Sequence, residues 1–136
     1  MSERTIGFTN GCYDIIHIGH LKLIEYLNKQ VDVVIVGIDS DKMIHLSKGP
    51  HRPFNKENER KFFLEQIKGI TQVFVFDSHP ELEQKLSEIK PNLMVVGSDY
   101  RNKPVIGSQH AEKLEFFEVL SEYSTTKTAQ HLASRG

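Results

Sequence analysis

Cysteine is almost missing from this chain: Cys12 stands alone, so an intrachain disulfide is excluded and a reducing compartment, the cytoplasm by default, is the expected home. A charge imbalance is missing too. The formal net charge is -1 at pH 7, so no overall field draws the protein toward DNA, RNA or an anionic membrane. Any phosphate binding has to come from a local arrangement of residues. No long apolar run occurs, and the start, Met1-Ser2-Glu3-Arg4, predicts neither a signal peptide nor a membrane span. Repeats, low-complexity tracts and Gly/Ser linkers are absent. So are the Gly-rich dinucleotide fingerprint and the P-loop motif, which argues against NAD binding and P-loop ATPase chemistry.

What remains is an ordinary globular mixture of 136 residues, 38% hydrophobic and 26% charged, which predicts one domain over residues 1–136. Short apolar runs alternate with segments of helical period. Residues 5–9 read as a first strand and 31–38 (VDVVIVGI) as a stronger second one. Residues 73–76, 93–96 and 116–120 supply three more. The second and fourth are nearly continuous β-branched runs, as in strands buried on both faces. Leu82, Leu86 and Ile89 recur on one face of a helix that Pro80 is placed to open. Ile18, Leu21, Ile24 and Leu27 line another helix, and Phe63, Leu64 and Ile67 a third. Such alternation predicts βαβ units and a doubly wound α/β fold, with a parallel sheet and helices on both faces. Ligands then sit beyond the carboxyl ends of the strands. Three segments fall there: Asn10 to Asp14, Asp39-Ser40-Asp41, and Gly97-Ser98-Asp99-Tyr100.

The stretch from Thr9 to His20, TNGCYDIIHIGH, follows the first strand directly. His17 and His20 are three apart at a helix start, so their imidazoles project from one side. That helix N-terminus offers unpaired amides and a positive dipole end to a phosphate, and Gly19 removes a side chain that would hold a ligand off. This is the equipment for an anion whose charge grows during phosphoryl or nucleotidyl transfer. Spacing alone leaves two other readings open. The pair can arise by chance on a solvated helix face, or it can belong to a zinc site, although Cys12 and Asp14 give no recognised ligand spacing.

The string GCYDIIHIGH closely resembles the HxGH signature of the cytidylyltransferase-like nucleotidyltransferase superfamily, with Tyr13 in place of the commoner phenylalanine. The resemblance implies that His17 and His20 bind the nucleotide phosphates and stabilise the transition state at the α-phosphorus. It also implies nucleotide contacts from Thr9, Asn10, Gly11, Tyr13, Asp14 and Gly19. The loop KGPHRPFNKENER, residues 48–60, is similar to a segment of the bacterial heptose-phosphate adenylyltransferases, the ADP-heptose synthases, and assigns phosphate contacts to Lys48 and Arg60. As plain chemistry that segment is a basic surface loop, and Arg60 pairs equally well with Glu57 or another nearby acid. GSDY at 97–100 resembles the family's G-G-D-Y, with Gly97 for close approach and Asp99 for a ribose or base amine; an ordinary turn explains it too. Ser124, Thr125 and Thr126 match the superfamily's S-T-T phosphate cradle, and Ser124 or Thr125 is also a good helix N-cap.

Spanning residues 7 to about 132, the resemblance implies a Rossmann-like five-stranded sheet of order 3-2-1-4-5, a divalent metal, usually Mg2+, bound with the nucleotide, and a homodimer. No side-chain metal ligand is assigned. The reaction it implies is in-line attack by an acceptor phosphate oxygen on the α-phosphorus of an NTP, with pyrophosphate leaving and Cys12 a bystander. Two nucleotides compete. Glycerol-3-phosphate cytidylyltransferases share S-T-T-K but commonly carry an arginine just before it, where this chain has Leu120-Ser121-Glu122-Tyr123. The 48–60 loop and GSDY favour ATP and a sugar 1-phosphate of the heptose type, over CTP with glycerol 3-phosphate. Asp39, Ser40, Asp41 and the segment 103–109 are expected to border the acceptor. A catalytically silent nucleotide-binding module is the reading from another class.

Overall fold

The protein is described by a computed structural model covering residues 4–118. Its strands are β1 (Ile6–Gly11), β2 (Val33–Asp39), β3 (Gln72–Phe76), β4 (Leu93–Gly97) and β5 (Lys113–Phe117). The helices are α1 (Ile18–Gln30), α2 (Asp41–Lys48), α3 (Glu57–Glu65) and α4 (His79–Ile89), with short 3-10 turns at Ser98–Tyr100 and Ser108–His110. All strand pairs are parallel and the order is β3-β2-β1-β4-β5, the one the family resemblance implies.

The apolar runs of β2 and β4 are nearly continuous because both faces of the sheet are covered. In β2, Val34, Val36 and Ile38 face a core shared with Leu23, Ile24 and Leu27 of α1 and Leu64 of α3. Ile35 joins Phe8, Met94 and Val96 against Leu82 and Leu86 of α4 on the other side. Period-two alternation thus divides one apolar string between two cores. Gly107, at φ 81°, lets the chain pass against α4, since a Cβ there would collide with Leu86 Cδ1.

Several boundaries differ from expectation for identifiable reasons. β5 starts at Lys113 rather than 116, because a half-exposed edge strand carries Lys113 and Glu115 and its apolar signal is diluted; residues 119 and 120 lie outside the described residues. β2 starts at Val33, Val31 being the C-cap of α1. In α1 the buried face is Leu23, Ile24 and Leu27, while Ile18 and Leu21 are exposed, so the core stripe is rotated from the predicted one. In α3, Leu64 is buried and Phe63 exposed. α2 was hidden from periodicity by having one buried residue, Ile44; Ser40 opens it, its hydroxyl accepting from the Met43 amide at 3.2 Å.

Candidate functional site

β1 ends at Gly11, and the chain turns through Tyr13, a non-glycine residue at φ 52°, before entering α1. Tyr13 is buried, and its ring packs under Gly11 and against the His20 ring, 4.8 Å between centroids. Burial pushes its phenol up to about 12 despite a hydrogen bond with Thr9, so it stays neutral. His17 is the N-cap of α1. Its Nδ1 accepts from the Gly19 amide at 3.1 Å, and His20 Nδ1 accepts from the His17 amide at 3.2 Å. Two histidines here do the reciprocal work that Ser/Thr and Glu/Gln do in an ordinary capping box.

This capping settles the protonation of both rings. Burial holds His17 below the usual imidazole range. Burial, with the adjacent His17, pushes His20 down to about 3. A neutral imidazole whose Nδ1 accepts must carry its proton on Nε2. The rings stack 3.8 Å apart at 20°, so two imidazoles, each with an Nε2–H donor, lie together at the start of α1. The expected cradle of unpaired amides is narrowed accordingly: the Gly19 and His17 amides are satisfied internally, and the imidazoles add donor capacity of their own.

Two charged residues expected at the nucleotide are turned inward instead. The Asp14 carboxylate is wholly buried and accepts from Arg52 Nε and the Phe54 and Asn55 amides, each at 2.8 Å. Desolvation opposes its charge, but those amides and Arg52 outweigh it and hold the carboxyl below its usual range. Asp14 therefore anchors the 52–55 loop. Arg60 is 0% exposed and donates to four acceptors: the carbonyls of Asn55, Cys12 and Asp39, and Asp41 Oδ1, all within 2.9 Å. With these partners Arg60 binds the ends of β1 and β2 to α2, and its guanidinium is not free to fork onto a phosphate. Asp41 in turn exchanges bonds with Glu57, its Oδ1 taking the Glu57 amide while Glu57 Oε1 takes the Asp41 amide.

On the α4 side of the sheet a cleft of about 650 Å³ opens at the strand ends. Asn10 and Asp39 come to it from β1 and β2, Cys12 from the turn after β1, Lys48 from the end of α2, His79 from the start of α4, and Lys103 from the loop after β4. Phe76, Leu82, Val96, Val105 and Ile106 give it apolar walls. Burial raises Asp39, against the opposing pull of Arg60, His79 and Lys48. Burial and Asp39 push the Cys12 thiol up to about 11, so it is protonated at neutral pH. A large polar-rimmed pocket at the carboxyl edge of a doubly wound sheet is where such folds bind ligands.

The family model for cytidylyltransferase-like proteins matches residues 8–131. The chain belongs to the cytidylyltransferase-like family. That membership places it among the nucleotidyltransferases. Among curated proteins it is 37% identical over 131 residues to the bifunctional protein HldE of Sulfurimonas denitrificans, covering 96% of this chain and 27% of the relative. HldE of Campylobacter jejuni subsp. doylei is 36% identical over 133 residues, covering 98% and 29%. The chain thus spans under a third of the length of these relatives. A lipopolysaccharide core biosynthesis protein of Thermoplasma volcanium shares the fold at TM-score 0.71 and 17% identity, over 87% of this chain and 100% of that one.

Within this cytidylyltransferase-like fold, the expected residues fall into two groups. His17, His20 and Tyr13 gather at α1, whereas Asn10, Asp39 and Lys48 share the cleft with Lys103 to Ile106. Thr9 is buried in β1, and Gly97 closes β4 opposite Phe117. Asp99 lies in the turn after β4, and its side chain is outside what the structure describes, as are Ser124, Thr125 and Thr126. Sequence reasoning missed His79 and Arg52. Ser78-His79-Pro80 gave a signal for His79, because an N-cap serine before a proline puts the next side chain at a strand's carboxyl edge.

Proposed function

We propose that this chain transfers a nucleoside monophosphate from an NTP to a phosphorylated small molecule, releasing pyrophosphate, with ATP and a sugar 1-phosphate of the heptose type as the pair. The observation that carries it is the stacked, neutral imidazole pair, whose Nδ1 atoms are occupied and whose Nε2–H donors are directed by the cap. An acceptor phosphate oxygen attacks the α-phosphorus, the bond to the bridging oxygen breaks, and pyrophosphate departs with that electron pair. His17 and His20 donate to the oxygens on which charge accumulates, held in place before reaction begins. No side-chain nucleophile is needed, in keeping with a Cys12 thiol that stays protonated.

The acceptor is assigned to the 650 Å³ cleft, its phosphate near Lys48, Lys103 and His79 and a hydroxyl at Asp39. The choice of ATP rests on the likeness of residues 48–60 and 97–100 to the heptose-phosphate enzymes, with HldE relatives in support. Mg2+ enters with the triphosphate: no group of three or more His, Cys, Asp or Glu side chains suited to a metal occurs among the described residues, and no step is assigned to it. Among those residues no helix is long and apolar enough to cross a membrane. A cytoplasmic homodimer is the form proposed.

Pyrophosphate release measured with ATP or CTP against a panel of sugar and polyol phosphates tests this. Turnover of ATP with a sugar 1-phosphate is expected. Turnover only of CTP with glycerol 3-phosphate would reassign the substrates. Tight nucleotide binding without turnover of any pair would leave a silent binding module.

A further inference from the structure

Arg52 is held more firmly than a loop arginine needs to be, and one of its donors has no use within the described residues. Its side chain is 11% exposed, its Nε is bonded to the buried Asp14 carboxylate at 2.8 Å, and its guanidinium carbon lies 4.7 Å from the centroid of the Phe54 ring. These contacts fix the plane of the guanidinium. Nη2 is nevertheless buried with no hydrogen-bond partner among the described residues. A buried, charged donor without an acceptor is costly and calls for an explanation, and an arriving ligand oxygen is one that the position of Arg52 suits. Asp14 gives no relief there, because it engages Arg52 only through Nε. The guanidinium also stands close enough to the carboxyl end of β1 to act on Cys12, together with Lys48 and Arg60.

We infer that Arg52 is a further substrate-binding residue whose Nη2 donates to a phosphate oxygen, oriented for it in advance by Asp14 and Phe54. This rests on the nucleotidyltransferase reading above. A planar, preorganised guanidinium suits phosphate oxygens better than a lysine does, since less freedom is lost on binding. Of the cations near the end of β1, Arg60 has its donors committed inside the protein and Lys48 is exposed on a helix end, which leaves Arg52 as the fixed positive point. The phosphate belongs either to the NTP or to the acceptor, and the experiment separates the two.

The test compares wild type, Arg52→Lys and Arg52→Ala in steady-state kinetics, varying NTP and acceptor separately, with thermal melts to confirm folding. The expected result is a fall of roughly 10- to 100-fold in kcat/KM for Arg52→Lys, carried by KM for the substrate whose phosphate Nη2 binds. Added guanidinium ion, at concentrations far below those that unfold the protein, should restore part of the Arg52→Ala activity. A rise in KM for NTP alone assigns the triphosphate, and a rise for the acceptor alone assigns its phosphate. Folded variants with both KM values unchanged overturn the inference and leave the nucleotidyltransferase reading standing. Should wild type turn over no pair, that reading fails, and calorimetric titration with tripolyphosphate decides Arg52 by itself. Weaker binding in Arg52→Lys supports the inference and equal binding refutes it. Where Arg52→Ala does not fold, Arg52→Lys carries the test.

Discussion

Replacing Arg60 separates two roles that one arginine can play. In the structure it is wholly buried and joins the ends of β1 and β2, the 52–55 loop and α2 through four hydrogen bonds. Arg60→Gln removes the charge and most of these donors. It leaves the Cys12, Asp39 and Asn55 carbonyls to find other partners, and Asp41 without its cation. A charged hydrogen bond contributes about 1.5–3 kcal/mol, but the four share one side chain and are not additive. Breaking a buried pair by removing one partner costs about 3–5 kcal/mol. Because Asp41 is 37% exposed, solvent screens part of that term, and a loss of about 3 kcal/mol is expected. With a urea slope near 2 kcal/mol/M for a small domain, the unfolding midpoint should fall by about 1.5 M. Arg60→Lys keeps the charge but cannot span four acceptors, and should fall between wild type and Arg60→Gln. A shift under about 0.3 M with nucleotide affinity lost would refute the reasoning and return Arg60 to the phosphates.

His20→Gln should retain the cap, since glutamine at N3 also accepts from the N-cap amide, yet its N–H donors then sit on the carbon that bears the capping oxygen, away from the position of the imidazole Nε2; kcat in the pyrophosphate-release assay should drop roughly 10²–10³-fold while the melting temperature holds. The same variant tests acid stability. His17 and His20 have folded pKa values below the unfolded 6.5, so the unfolded chain binds protons first and stability is lost as pH falls from 6.5 toward 3. Urea midpoints between pH 7 and 4 should decline in wild type and less steeply in His20→Gln; parallel slopes would count against the neutral pair. Asp14→Asn cannot accept from three donors and should cost about 3 kcal/mol by urea unfolding, with the 52–55 amides losing protection from hydrogen exchange. Gly107→Ala combines φ 81° with a Cβ in collision with Leu86, and a loss of about 2 kcal/mol is expected in the same assay.

Legibility followed the physics of each element. β2 and β4 were readable because strands covered on both sides are apolar at nearly every position, and α4 because Pro80 stands at its start before a clean Leu82–Leu86 stripe. α2 was unreadable from periodicity, since one buried residue makes no period, and β5 was displaced because an edge strand mixes charge with apolar residues. Among the site residues, the type and spacing of His17 and His20 were enough to suggest phosphate chemistry. Their tautomers were not, because these depend on which backbone amides reach Nδ1.

The string of residues determined, by itself, the alternation of strands and helices, the lack of a disulfide and a paired-imidazole motif directly after the first strand. Those are properties of neighbours in sequence, and local periodicity and spacing encode them. Tertiary structure decided which polar side chains face inward. Asp14 and Arg60 looked like ligand contacts in one dimension and are internal anchors in three, because their partners lie 38 to 41 and 5 to 48 residues away along the chain. A charge's role depends on what surrounds it, and those surroundings exist only once β1, β2 and the 52–55 loop have come together.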